Sequence, residues 1–223
     1  MSEILFNNID EFKKCMKTIN ETDGLLSKRN YVLHDKFKEL DYNELNNYNS
    51  IELIGKSKVN NNLYCFMYFV NNTSFLSKSY KTTSSNNINK IEEEIKTLYN
   101  LTDDIEINLI IVLTQLMKIN NYILEKKIIE KINIDNIQIF TFNNLLFNIT
   151  KHSRVPKHIR VIRDKNEINE LCKLRNISNI NKLCKINMND PLANFYGLRV
   201  GELFELKKFN KNAGMYIYYR VCI

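Results

Sequence analysis

Apolar residues along the first half of the chain alternate between helical and strand-like rhythms. In residues 8–26, Ile9, Phe12, Cys15, Met16 and Ile19 recur at helical spacing and Gly24 stands near the end, which predicts an amphipathic helix. Residues 31–33 read as the start of a short extended piece. Asn60, Asn61 and Asn62 are turn-like, and residues 63–70 (LYCFMYFV) form a nearly unbroken apolar run, as expected of a strand covered on both faces. A polar loop over residues 71–87 precedes a second predicted helix carrying Ile88, Ile91, Ile95, Leu98 and Tyr99 on one side. Residues 105–114 (IEINLIIVLT) predict another buried strand, 116–132 a helix and 137–142 a third strand. The order β-α-β-α-β has crossovers long enough for parallel pairing, so residues 1–149 read as an α/β domain with helices flanking a mostly parallel sheet.

The last quarter has a different pattern. Asp190 before Pro191 is a helix start: the carboxylate accepts an orphan N–H of the first turn, and proline at the first helical position gives up a donor that had no partner. Gly197 ends that helix. Gly201 then leads into an extended run over 202–209, residues 210–214 supply turn chemistry, and residues 215–223 are rich in aromatic and β-branched side chains, a hairpin pattern. Alternation puts Met215, Ile217, Tyr219, Val221 and Ile223 on one face and Tyr216, Tyr218, Arg220 and Cys222 on the other. Residues 150–223 therefore read as a small α+β domain whose chain ends inside a strand.

Charge sharpens this division. Residues 1–150 hold 17 Lys+Arg against 19 Asp+Glu, a net −2, whereas residues 151–223 hold 15 against 6, a net +9. The two halves are expected to meet different partners, and the basic half an acidic or phosphate surface. A hydrophobic fraction of 44% is ordinary for a globular protein. No apolar run approaches the roughly eighteen residues of a membrane span, and Met1-Ser2-Glu3 lacks a signal-peptide layout. Cys15, Cys65, Cys172, Cys184 and Cys222 are odd in number and scattered, which agrees with a reducing intracellular compartment.

Three spaced motifs carry a family likeness: Val155-Pro156-Lys157-His158, the stretch Asp190-Pro191-Leu192-Ala193-Asn194-Phe195-Tyr196-Gly197, and Ala213-Gly214-Met215-Tyr216-Ile217-Tyr218-Tyr219-Arg220. Over residues 147–223 the chain resembles the assembly domain of the fifth common subunit of eukaryotic RNA polymerases, which is similar to a free-standing archaeal polymerase subunit. The first half resembles the family more loosely, through Arg29-Asn30-Tyr31, where relatives carry Arg-Gly-Tyr, and through residues 137–150.

The resemblance implies a jaw domain with a restriction-endonuclease-like α/β fold joined to an assembly domain. It implies a non-catalytic subunit that scaffolds the largest polymerase subunit, touches neighbouring small subunits and helps clamp downstream duplex DNA, with no cofactor of its own. Matching positions put the subunit interface at His152, Val155, Pro156, Lys157, His158, Asp190, Pro191, Tyr196, Gly197, Gly201, Gly214, Tyr216, Tyr219 and Arg220. Given the −2 charge of the first half, any DNA contact there is local, with Lys13, Lys14, Lys17, Lys28 and Arg29 the candidates. Cys184 stands where relatives have proline, and Lys208-Phe209-Asn210-Lys211-Asn212 replaces Arg-x-Ser-x-Thr, so a bidentate arginine contact is lost. That drift and the abundance of asparagine suggest a virus-encoded version, working in the virion and host cytoplasm, where a cellular one would work in the nucleus.

Other chemistries find thinner support. His152 and His158, even with Cys172 nearby, have no third and fourth ligands at recognisable spacing, so packing and interface contacts explain them better than a metal. His34 reads as a solvated residue in a charged loop. Glu94-Ile95-Lys96 matches half of a nuclease motif but falls on a predicted helix with no Pro-Asp pair before it. Arg220 either pairs internally or faces a partner. The alternative from another class is a stand-alone basic nucleic-acid-binding protein with a degenerate nuclease-like domain.

Overall fold

The computed structural model describes residues 9–37, 50–70, 93, 95–100, 105–113, 137–212 and 214–223. The chain divides into two compact units, Met1–Phe147 and Asn148–Ile223. The predicted helix over 116–132 and the loop over 71–87 lie outside the described residues, as do Ile88 and Ile91 of the second predicted helix.

The N-terminal unit opens with helix α1 (Ile9–Asn20). Its apolar stripe is buried at Phe12, Cys15 and Ile19. The helix stops earlier than periodicity predicts, because the chain turns a corner into the single helical turn α2 (Leu25–Lys28), with Gly24 as its N-cap. A Cβ on Gly24 would stand 2.7 Å from the carbonyl oxygens of Ile19 and Thr18 and 2.8 Å from that of Glu21. All three are backbone atoms and cannot swing aside. Gly24→Ala is therefore expected to destabilise this unit by roughly 1–3 kcal/mol, the range of overpacking, read as a lower urea midpoint. An unchanged midpoint would mean that the corner relaxes freely.

Asn30, which stands in the glycine slot of the family pattern, adopts φ 63°. Asparagine is among the few residues that visit the left-handed region routinely, so the turn survives the substitution. It delivers β1 (Tyr31–Leu33), followed by β2 (Ser50–Ser57), β3 (Leu63–Val70), β4 (Glu106–Leu113) and β5 (Ile137–Thr141), hydrogen-bonded in the order β1-β2-β3-β4-β5. Strand β3 lies at the centre, and Tyr64, Cys65, Phe66, Met67 and Phe69 along it are at most 1% exposed, the burial on both faces that its unbroken apolar run predicts. Residues 95–99 are helical, with Ile95 fully buried.

The sheet corrects the expectation of mostly parallel pairing. β3 pairs with β4, and β4 with β5, in parallel, but β1/β2 and β2/β3 are antiparallel. The strand that sequence periodicity misses is β2. Its polar Ser50, Glu52, Lys56 and Ser57 and its mid-strand Gly55 break any clean strand rhythm, yet its pairing runs from Ser50 opposite Val70 to Lys56 opposite Tyr64. Gly55 is there because β1 comes close: a Cβ would meet the Val32 carbonyl oxygen at 3.1 Å. Asn60-Asn61-Asn62, turn-like in sequence, lies in the connection of the β2/β3 hairpin.

The C-terminal unit is built on β6 (His158–Ile162), β7 (Cys184–Ile186), β8 (Leu203–Asn210) and β9 (Gly214–Cys222), in the order β6-β8-β9-β7. The hairpin β8/β9 is antiparallel from Leu203 opposite Val221 to Asn210 opposite Gly214. β6 joins β8 antiparallel, whereas β7 joins β9 in parallel and reaches only Arg220, Val221 and Cys222. Helix α3 (Lys165–Leu174) and helix α4 (Pro191–Tyr196) complete the α+β unit. Among the described residues no helix is long and apolar enough to cross a membrane.

Candidate subunit interface

The sheet of the C-terminal unit offers two faces, and a different helix covers part of each. Asp164 caps α3 by accepting from the Asn166 N–H at 2.9 Å. The helix then places Ile168, Leu171 and Cys172 against Ile162, Leu203 and Val221. One register row further along the same face, Arg160, Glu205 and Tyr219 stand side by side across three strands. Arg160 donates to Glu167 of α3 at 2.6 Å and to Glu205 at 3.2 Å, Tyr219 Oη reaches Glu205 at 3.4 Å, and the Arg175 guanidinium lies 5.9 Å from the Tyr219 ring centre. Beyond that row the helix ends, and Ile217, Met215 and Phe209 are 42%, 62% and 64% exposed.

The opposite face is packed by α4. Its start matches the sequence reading: Asp190 Oδ1 accepts from the Leu192 N–H at 2.9 Å, Pro191 occupies the first turn, and Gly197 closes the helix at φ 63°. Asp190→Ala is expected to cost about 1 kcal/mol, measurable as a lower urea midpoint; no change would mean that the cap is replaced by solvent. Ala193, Phe195 and Tyr196 are buried, and the Tyr196 ring meets Phe204 of β8 edge-on, 5.4 Å between centres. Burial pushes the Cys222 thiol up to about 11, with the charge of Glu202 adding to the effect. Burial likewise raises the carboxyl of Glu202, against the lowering influence of the Arg199 N–H it accepts at 2.9 Å and of Arg163.

The residues assigned to an interface thus separate into two sets. Tyr196 and Gly197 belong to the interior and cap of α4, Asp190 and Pro191 to its start, and Gly201 (φ 88°) and Gly214 (φ 70°) to turns. Tyr219 is half-buried in the Arg160–Glu205 cluster. Surface remains at His152, Lys157 and His158, with Val155 and Pro156 half-buried between them, and at Tyr216 and Arg220. His152 Nδ1 accepts from the Arg154 N–H at 3.3 Å, which orders the loop before β6. Arg220 is exposed and forms no ion pair among the described residues. Sequence reading missed α3, although Asp164 followed by Glu167, Ile168 and Leu171 carries a capping-box-like start and helical spacing.

This arrangement can be set beside known proteins. The family model for the RNA polymerase Rpb5 C-terminal domain matches residues 147–222, the described C-terminal unit almost from end to end. That unit is similar to the Rpb5 C-terminal domain. Subunit rpabc1 of DNA-directed RNA polymerases I, II, and III from Dictyostelium discoideum is 36% identical over 85 residues, covering 38% of this chain and 41% of the relative. The corresponding RPABC1 of Caenorhabditis briggsae is 32% identical over 80 residues, 35% of this chain and 36% of the relative. The matched stretch thus spans about two fifths of these relatives' length.

Outside residues 147–222, the structure sorts the five basic candidates for DNA. Lys13, Lys14 and Lys17 are exposed along α1. Lys28 is committed to Asp23 at 2.6 Å, and the Arg29 guanidinium lies 5.5 Å from the centre of the Phe140 ring, so neither extends freely. His34 corrects the expectation of a solvated side chain: it is half-buried, edge-on to Tyr99 at 4.9 Å and to Phe37 at 6.2 Å. Burial lifts the Cys15 thiol far above its ordinary range and that of Cys65 to about 12, keeping both protonated. No three His, Cys, Asp or Glu side chains gather as a metal site would need, among the described residues. Glu94 lies outside the described residues, while Lys96 sits in the helical stretch 95–99.

Proposed function

We propose that this chain is a non-catalytic subunit of a multisubunit DNA-directed RNA polymerase. The observation that carries the reading is the match of residues 147–222 to the Rpb5 C-terminal domain, together with two relatives named as subunits shared by polymerases I, II and III. In this reading the C-terminal unit docks on the largest subunit and on neighbouring small subunits, and nucleotide addition belongs to the larger chains. The surface formed by His152, Lys157, His158, Tyr216 and Arg220 fits such docking, because complementary charge orients the encounter while aromatic and apolar groups hold the contact.

The N-terminal unit then acts as a jaw beside downstream DNA. Its net charge of −2 argues against strong autonomous DNA binding, since duplex affinity comes largely from neutralising phosphates. Lys13, Lys14 and Lys17 supply a local contact inside the assembled enzyme. The complex works in the nucleus if the chain is cellular, and in the virion and host cytoplasm if it is viral.

Affinity purification of the tagged chain from its native source should recover a multisubunit RNA polymerase in stoichiometric amount. Recovery of the chain alone, with the isolated protein binding duplex DNA by itself, would replace this reading with a free nucleic-acid-binding protein.

A further inference from the structure

The outer edge of β9 is open along most of its length. β9 runs for nine residues, but β7 covers only its last three, Arg220, Val221 and Cys222. Strand geometry says which backbone groups are left over. The Cys222 N–H donates to the Glu202 carbonyl and its own carbonyl accepts from the Gly201 N–H, so Cys222 faces the β8 side. The Ile223 N–H donates to the Ile186 carbonyl, on the β7 side. Alternation then turns Tyr216 and Tyr218 toward β8, and turns Met215 and Ile217 outward, past the end of β7. Among the described residues, nothing pairs with their N–H and C=O groups.

Edge strands are ordinarily blunted by charge, proline or a covering element. The other edge of this sheet follows that rule, since β6 carries Arg160 and follows Pro156. The open part of β9 reads Gly-Met-Tyr-Ile-Tyr-Tyr, with no charge and no proline. Apolar surface gathers on one side of this edge, where α3 does not reach: Met215, Ile217 and, across on β8, Phe209. The other side presents Tyr216 stacked on Tyr218 at 5.7 Å, between Lys208 and the exposed Arg220, which forms no ion pair among the described residues.

We propose that the β9 edge beside Met215 and Ile217 receives an extended segment of another polypeptide, in which apolar residues alternate with acidic ones. The segment would continue the line of β7 over roughly 20 Å, the reach of about six residues. Its main chain bonds to Met215 and Ile217, its apolar side chains lie against Met215, Ile217 and Phe209, and its carboxylates face Arg220 and Lys208. This is strand addition, in which the backbone supplies affinity and alternate side chains supply specificity. The proposal stands apart from membership in a polymerase: co-purification tests that reading, and the purified full-length chain tests this one.

The probe is an eight-residue peptide of alternating valine and glutamate, acetylated and amidated, with a lysine-for-glutamate version as its counterpart. Titration of the full chain should show binding of the acidic peptide and at least roughly tenfold weaker binding of the basic one. Amide exchange should slow at Met215 and Ile217. N-methylating peptide residues of one parity should weaken binding by roughly tenfold, and of the other parity little, because only one set of N–H groups faces β9. These peptides leave the protein untouched, so misfolding does not confuse the result. Equal loss for both parities, equal binding of both charge types, no binding at millimolar peptide, or protection of this edge by self-association of the free chain would each overturn the proposal.

Discussion

Removing residues 216–223 should leave the C-terminal unit unfolded while the N-terminal sheet keeps all its strand pairings. β9 is an inner strand of the order β6-β8-β9-β7, so the deletion strips β8 of its partner along most of its length and leaves β7 with none. Val221 and Cys222 are 1% exposed, and Val221 belongs to the cluster packed under α3. Burying such side chains is worth roughly 1.5–3 kcal/mol each. Ile217 and Ile223, 42% and 47% exposed, contribute much less. The lost strand ladder and the two buried side chains together approach the whole stability of a small domain, roughly 5–15 kcal/mol. Hydrogen exchange on the truncated chain should show fast exchange throughout residues 158–210 and slow exchange retained in β3 and β4. Protection of β6 and β8 after truncation would overturn the expectation.

Phe204→Ala should cost about 3–5 kcal/mol, the usual loss for a buried phenylalanine. Phe204 has no exposed surface, sits on β8 between Val161 and Arg220, and receives the edge of Tyr196 from α4. Loss of the ring opens a cavity between sheet and helix that a backbone held on both sides cannot close. Phe209→Ala, five residues along the same strand, should change stability by less than about 0.5 kcal/mol, since that ring is 64% exposed. Urea midpoints of the two variants measure the contrast. Similar losses at both positions would mean that Phe209 is buried in the free protein.

The contrast between the two phenylalanines marks where sequence reading stops. Alternation along β8 and β9 assigns each side chain to a face, because the strand period is two. It carries no information on how far a helix from elsewhere in the chain extends over that face. α3 ends at Leu174, so Val221 is buried, whereas Ile217, on the same face of β9 beyond Tyr219, is not.

The features legible along the chain are local or redundant. The cap, proline and glycine of α4 act within one short stretch, so Asp190, Pro191 and Gly197 declare that helix without reference to the rest of the chain. The apolar runs of β3 and β4 point to strands buried within a sheet, the run of β5 to a third strand, and three spaced motifs carry the likeness to the Rpb5 C-terminal domain. Features that depend on distant partners emerge only when the chain is folded. β2 is a strand because β1 and β3 pair with it, in spite of its polar residues and Gly55, and so the sheet is half antiparallel. β7 is three residues long, too short for any periodicity, and exists through its pairing with β9. Its shortness leaves the β9 edge open, a consequence of strand lengths at two separate places in the chain that no single stretch of sequence encodes.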